Sequence, residues 1–285
     1  MTEPKPIVPV DREGLEEVAE SLLRGDPQVA STAPSSNIVT QIINPIEYIT
    51  LPGKTHGSYS YPDLLVAMHR LGYDADVERA ARTLGLSLQN TTKEQNGSRY
   101  IGNINWEQAL KLNLLLGNST LNPRQFIDFK ELLKKGLKGT EVYDGKGAVI
   151  DSKILKMVHD EIFTVRDPFR GEWLDANFEV IDVIDNIFHI NYDHKIANGV
   201  LKPQKSEPLE NCLMEEKYVD LSSANRQGLP TRKSSIFSRK IKYYHPQNQS
   251  IAKFYAHSDR VVLDARGDPA YPCSPVGVRA AKIKR

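Results

Sequence analysis

A change of hydrophobic period near Thr140 constrains this chain more than any other feature. Before it, apolar residues recur at helical spacing; after it, they alternate. Leu64, Leu65, Met68 and Leu71 stop at Gly72, and Val77, Ala80, Ala81 and Leu84 stop at Gly85. That spacing predicts a helical hairpin with each glycine as a C-cap. A polar loop over residues 89–99 leads to a helix over 106–116, and Asn122-Pro123 opens another through Phe126, Phe129, Leu132 and Leu133 to Gly136. Past Thr140, Asp144-Gly145-Lys146-Gly147 reads as the turn of a short β-hairpin and residues 152–163 as a helix. Residues 178–183 and 187–196 then read as strands, the second turning at Asn198-Gly199. Residues 208–216 fit one further helix, and from Lys240 the alternation returns.

The expected class is therefore α+β. Residues 1–60 form a mobile leader with one short helix (11–24, through Leu15, Val18 and Leu22), 61–139 a helical region, and 140–285 a module of short antiparallel strands with few helices. With 285 residues, 40% hydrophobic and 26% charged, the chain can bury a sizeable core, which excludes a fibrous or disordered protein. The 37 basic and 36 acidic side chains leave a net charge of +1, too little for a protein whose whole surface meets a polyanion. Cys212 and Cys273 are too few for a disulfide framework or a multi-cysteine metal site. The first residues lack the apolar core of a signal peptide, and the apolar run 112–116 ends at Gly117, short of a membrane span. Localisation is left open, with display at a cell surface or virion through another factor as one route.

Several constellations invite chemistry. The Asp144 loop lacks the spacing and strand-to-helix context of a phosphate loop, so a hairpin turn is the better reading. His189, Asp193 and His194 carry metal-ligand atoms, but in a strand His194 points away from the other two. Glu172 and Asp175 beside Trp173 lack a partnering nucleophile and base. Arg226, Arg232, Lys233, Arg239, Lys240 and Lys242, with Tyr243 and Tyr244, could make a nucleic-acid strip or simply a solvated loop. No catalytic group, metal or cofactor is expected from these patterns.

The C-terminal segment differs from the rest. Phe254, Ala256 and Ser258 alternate with Tyr255, His257 and Asp259; Val261, Leu263 and Ala265 alternate with Arg260, Val262, Asp264 and Arg266. One face is small or apolar and the other is chemically miscellaneous, as though a fixed frame carried interchangeable side chains. From Phe254 to Ala280 there is no Lys, Glu, Gln, Met or Trp, although these types supply 55 of the 285 residues. They are the amino acids that no codon ending in a pyrimidine encodes. Random replacement of adenines in AAY asparagine codons produces that blank; a turn-rich strand segment of biased composition is the alternative.

Asn248-x-Ser250-Ile-Ala252-x-Phe254-x-Ala256-x-Ser258, Leu263, Pro269 and Val276-Gly277-Val278-Arg279 resemble the variable region of archaeal, in particular nanoarchaeal, diversity-generating retroelement proteins with a C-type lectin fold. Upstream, Tyr143-Asp-Gly, Arg170-Gly-Glu-Trp-Leu-Asp-Ala176, Asn198-Gly199-x-Leu-Lys-Pro203, Cys212-Leu-Met214 and Gln227-Gly-Leu-Pro230 extend the resemblance over roughly residues 120–285. Ala265 and Val276 depart from the family pattern, where a Cys or other small residue and a Leu are expected. The resemblance implies a C-type-lectin-like module and a non-enzymatic protein. A reverse transcriptase rewrites the end of its gene, and the varied positions line a hypervariable surface for a protein or cell-surface ligand. Carried over position by position, the ligand-binding candidates are Tyr255, His257, Asp259, Arg260, Val262, Asp264, Arg266, Gly267, Asp268, Ala270, Tyr271 and Cys273. With Cys273 among them, a fixed Cys212–Cys273 disulfide is not expected. Carbohydrate binding does not follow, because no Ca²⁺ loop of clustered Asp, Asn and Glu is recognisable. The alternatives are an enzyme of the formylglycine-generating, sulfatase-modifying type, which needs a reactive cysteine pair or metal-binding cysteines, and a nucleic-acid adaptor acting through Arg226 to Lys242.

Overall fold

The computed structural model describes residues 48–86, 92–93, 99–182, 184, 187–234 and 241–285. All of them belong to one compact unit, Asn44–Arg285. The helix expected over residues 11–24 lies outside the described residues. The described chain is mixed α+β and mostly β.

The order is β1 (Tyr48–Leu51), β2 (Lys54–His56), β3 (Tyr59–Tyr61), β4 (Leu64–Arg70), α1 (Ala75–Thr83), β5 (Thr92–Lys93), β6 (Arg99–Tyr100), α2 (Trp106–Leu115) and β7 (Ser119–Thr120). Two longer helices follow, α3 (Pro123–Gly136) and α4 (Ser152–Phe163). The remainder is β8 (Arg170–Asp182), β9 (Ile187–Tyr192), β10 (Lys195–Ala197), β11 (Val200–Lys202), β12 (Lys205–Pro208), β13 (Lys217–Val219), β14 (Ile241–Tyr244), β15 (Ser250–Ala256), β16 (Val261–Gly267), β17 (Val276–Gly277) and β18 (Arg279–Ile283). A four-stranded sheet runs β1-β4-β18-β7. An eight-stranded sheet runs β12-β9-β8-β15-β16-β14-β13, with β17 beside β8.

The helices start where the sequence supplies caps. Asn105 and Asn122 each close a capping box, accepting from the backbone N–H of Gln108 (2.9 Å) and Gln125 (3.0 Å), while each glutamine side chain accepts the cap's own N–H. Pro123 takes the first position of α3, where no N–H is needed. Gly85, at φ +66, ends α1 and lets Leu86 N–H reach Ala81 O at 2.9 Å. Asp144 accepts from the backbone N–H of Lys146 and Ala148, so the Asp144 loop is a hairpin turn with Gly147 at positive φ. Asn198 and Gly199 both have positive φ, joining β10 to β11 as the type I′ pair requires.

Three expectations need correction. Residues 64–70 are strand β4, not the first helix of a hairpin. The strand lies between β1 and β18, pairing Val66 with both Ile49 and Ala281. Buried on both sides, it presents a nearly continuous apolar run that periodicity cannot tell from a helix. Residues 48–60, assigned to the leader, supply β1 and β2. Residues 209–216 are not helical: the Glu210 N–H donates to Gln227 Oε1 and the Leu213 N–H to Pro230 O, so a neighbouring loop satisfies backbone that a helix would satisfy internally. Because β4 pairs with β18, residues 61–139 and 140–285 share one sheet and one core.

Two cores set the large sheet's faces. On its inner side Phe254 packs against Phe126 of α3 (4.8 Å between centroids) and Phe163 of α4 (5.4 Å), with Leu263, Ala265 and Tyr243 around it. A second core gathers α1 and α2 with Trp173, Ile251, Cys273, Val276 and Val278, and covers part of β8 on the outer side. Trp106 and Trp173 are fixed there by indole N–H bonds to Leu174 O (2.8 Å) and Ile104 O (3.3 Å). The outer side of β15, β16, β14 and β13 lies beyond this second core.

Candidate binding face

Register decides which side chains share that outer side, because directly paired residues of neighbouring strands point the same way. One cross-strand column runs Tyr218, Lys242, Val262, Tyr255, Gly171 across β13, β14, β16, β15 and β8. The next runs Tyr244, Asp264, Lys253, Trp173. Their sequence neighbours Tyr243, Leu263 and Phe254 form the inner core, so the alternation read from the sequence is the alternation of the two faces.

The columns are built from cations between aromatic rings. Lys242 Nζ lies 5.4 Å from the ring centres of both Tyr218 and Tyr244, and the Arg266 guanidinium lies 3.8 Å over Tyr244. Lys253 Nζ lies 5.7 Å from Trp173 and 5.6 Å from Tyr255. Glu216, just before β13, pairs with Arg266 and stands 3.6 Å from Lys242. Asp264 stands 3.6 Å from Lys253 and accepts the Arg266 N–H at 3.0 Å. Burial raises the Asp264 carboxyl above its ordinary range against the pull of Lys253. Burial, then the neighbouring Asp264, raises the Tyr255 phenol. At the β15–β16 turn, Phe169 stacks on His257 (5.5 Å) and meets Tyr255 (5.3 Å), while Arg260 grips Asp259 with two guanidinium nitrogens.

The candidates separate by exposure. His257, Asp259, Arg266, Asp268, Ala270 and Tyr271 are exposed, Tyr271 at 62%; Tyr255 and Arg260 are half-buried. Asp268 organises the loop beneath Tyr271, accepting the Ala270 N–H at 2.9 Å. Val262, Asp264, Gly267 and Cys273 are buried, which corrects their expected place on an open surface. Val262, 1% exposed, lies in its column between Lys242 and Tyr255. A Cβ on Gly267 would stand 2.5 Å from Ile251 Cδ1. Cys273 belongs to the second core, where its carbonyl accepts the Asn103 N–H, and burial pushes its thiol up.

Sequence reasoning missed Phe169, Glu216, Tyr218 and Lys253 on this face, and took Lys242 and Tyr244 only as part of a basic strip. Alternation of Lys242 and Tyr244 with Ile241 and Tyr243 was the available signal. What it could not disclose is that β14 lies parallel to β16.

The other constellations are tied up internally. Glu172 takes Arg279, with Nε 3.0 Å from Oε1, and His194 Nδ1 lies 2.5 Å from Asp175 Oδ1, both pairs buried. His189 reaches Ser206 and Asp193 reaches Lys205, so the three suspected metal ligands do not converge. Among the described residues no group of three or more His, Cys, Asp or Glu could hold a metal ion, and no helix is long and apolar enough to cross a membrane. Arg226 pairs with Glu207 and Glu210, while Arg239 and Lys240 lie outside the described residues. Compared with known proteins, the chain matches no protein-family model, no curated protein and no solved structure.

Proposed function

We propose that this is a non-enzymatic binding protein whose C-terminal surface is diversified by a retroelement and recognises a protein or cell-surface ligand, on a module of C-type-lectin-like fold. One observation carries the reading. Within the segment from Phe254 to Ala280 that lacks Lys, Glu, Gln, Met and Trp, His257, Asp259, Arg266, Asp268, Ala270 and Tyr271 are exposed, whereas Phe254, Leu263 and Ala265 lie in the core. A surface whose side chains can be exchanged supports recognition, whereas one fixed reaction needs fixed groups in fixed geometry. Tyr255 and Tyr271 offer rigid amphipathic area, and His257, Asp259 and Arg266 adaptable polar contacts, the composition of a paratope. Display at a cell surface or virion would come through another factor.

The enzyme alternative is disfavoured by the thiols. Cys212 lies in the first core, its thiol pushed up to about 11 by burial, and Cys273 lies in the second. The test is to sequence the DNA around the gene. A near-repeat of the codons for residues 250–280, differing at template adenines and lying beside a reverse-transcriptase gene, is expected; codons with no such partner would overturn the retroelement reading.

A further inference from the structure

The outer face has two chemically distinct parts. Tyr255, His257, Asp259 and Arg266 come from the segment without Lys, Glu, Gln, Met or Trp. Glu216, Tyr218, Lys242, Tyr244 and Lys253 come from outside it, and Lys253 stands one residue before it begins. Register interleaves the two parts: Lys242 borders Val262, Tyr244 borders Asp264, and Lys253 lies opposite Asp264. We propose that Lys242 and Lys253, with Tyr218 and Tyr244, form a constant strip that holds carboxylates of an acidic polypeptide, while the exchangeable side chains around it, Tyr255 among them, select which polypeptide. The proposal rests on the reading of this face as a diversified binding surface and adds the partner's chemistry to it.

Three observations point to a carboxylate-bearing partner. Each lysine stands 3.6 Å from a single carboxylate, and an ammonium has three N–H donors, so donors remain for an acceptor arriving from outside. The lysines are held between rings with only 17% of each side chain exposed, so little rotamer freedom remains to be lost on binding. Glu216 is shared by Lys242 and Arg266, leaving the strip with one more cation than carboxylate. That excess complements an acidic polypeptide and is too small to hold a nucleic-acid backbone by counterion release. The tyrosines supply the apolar flank a peptide side chain requires.

The test is selection from a phage-displayed random peptide library on the full chain in five forms. These are wild type; an exchange variant (His257→Asn, Asp259→Asn, Tyr271→Asn); Lys242→Gln, alone and with Lys253→Gln; and Lys202→Gln, an exposed control on β11. Wild type and the exchange variant should select different peptides that are alike in being rich in Asp and Glu. Lys242→Gln should lose that enrichment and bind the wild-type peptides about tenfold more weakly, with Lys202→Gln unchanged. Lys242→Gln alone leaves the Lys253–Asp264 pair intact and guards against misfolding of the double variant. Acid enrichment that is absent, or survives Lys242→Gln and the double change, overturns the strip; if the exchange variant still alters the selected peptides, the face reading stands. Identical selection by wild type and the exchange variant, or no selection at all, overturns both. A single-stranded oligonucleotide bound more tightly than the acidic peptides, with steep loss in salt, overturns the polypeptide assignment.

Discussion

Around Arg279 and on the outer face of β14–β16 the same groups meet, guanidinium or ammonium with carboxylate and tyrosine, in opposite surroundings. Arg279 is 2% exposed. It donates to Glu172, to Glu161 at 3.3 Å, and to the carbonyls of Ala67 and Met68, tying β18 to β8, α4 and β4. Arg70 joins it, 3.5 Å from Glu161 and 4.4 Å over the Tyr100 ring. Outside, Lys242 and Lys253 keep donors unspent and Arg266 is exposed. The buried cluster spends its donors on holding elements together, and the outer ladder leaves donors unspent. Ionic groups of one kind thus clamp elements together where water is excluded and stay open to other acceptors where it is not.

The sharpest way to break that contrast is to remove one partner from each region. Arg279→Ala leaves Glu161 and Glu172 buried without their cation and should cost about 3–5 kcal/mol in denaturant unfolding, whereas Lys242→Gln should cost at most about 1 kcal/mol. Similar losses would mean that the outer ladder is also structural.

Acid separates the regions next. Burial alone would raise the Glu161 carboxyl, but Arg279, His69 and Arg70 hold it at about 2, below its ordinary 4.5. A carboxyl depressed on folding contributes stability above its unfolded value, and that contribution is lost as pH falls from about 4.5 towards about 2. Asp264, raised by burial, works the other way and favours the folded state as it takes up its proton. Thermal unfolding followed through this window should fall steeply for wild type and less steeply for Arg279→Ala; parallel curves would remove Glu161 from the account.

A smaller effect is expected where the face meets the frame. Gly171 lies under Tyr255, and a Cβ there would stand 2.7 Å from Tyr255 Cβ and 2.8 Å from the Phe254 carbonyl oxygen. Gly171→Ala should cost about 1–3 kcal/mol and displace the Tyr255 ring, seen as loss of its NMR contacts to Phe169. An unchanged ring position would show that β15 and β8 can separate cheaply.

Much of this arrangement was legible because it is local. Helix α4 was bounded by its own 3.6 spacing, α3 by Asn122-Pro123, and the β10–β11 turn by Asn198-Gly199, each a choice a few neighbouring residues make for themselves. Strand β4 was not, since Leu64, Leu65 and Met68 fit either period and only pairing with Ile49 and Ala281 decides between them. The site was legible as an alternation, which gives side but not depth. Val262 and Tyr255 point the same way, yet Val262 is buried beside Lys242 of a strand that joins the sheet in parallel, a long-range pairing with no local signature.

That difference of depth yields the finest test of the comparison. If the outer face is exchangeable where it is open and structural where it is buried, Tyr271→Asn and Val262→Asn should part company. Tyr271 sits over the loop turned by Asp268, with its ring in water, so the substitution should change unfolding free energy by no more than about 0.5 kcal/mol. Val262→Asn puts an amide into the space between Lys242 and Tyr255, where it must find partners or go without them. A cost of about 1–3 kcal/mol is expected, with disturbance of the lysine's seat between its two rings. Were Val262→Asn as mild as Tyr271→Asn, the column would open readily to solvent and Val262 would return to the binding positions. Were Tyr271→Asn as costly, the loop would belong to the frame, and the exchangeable surface would shrink to the β15–β16 turn around His257 and Asp259.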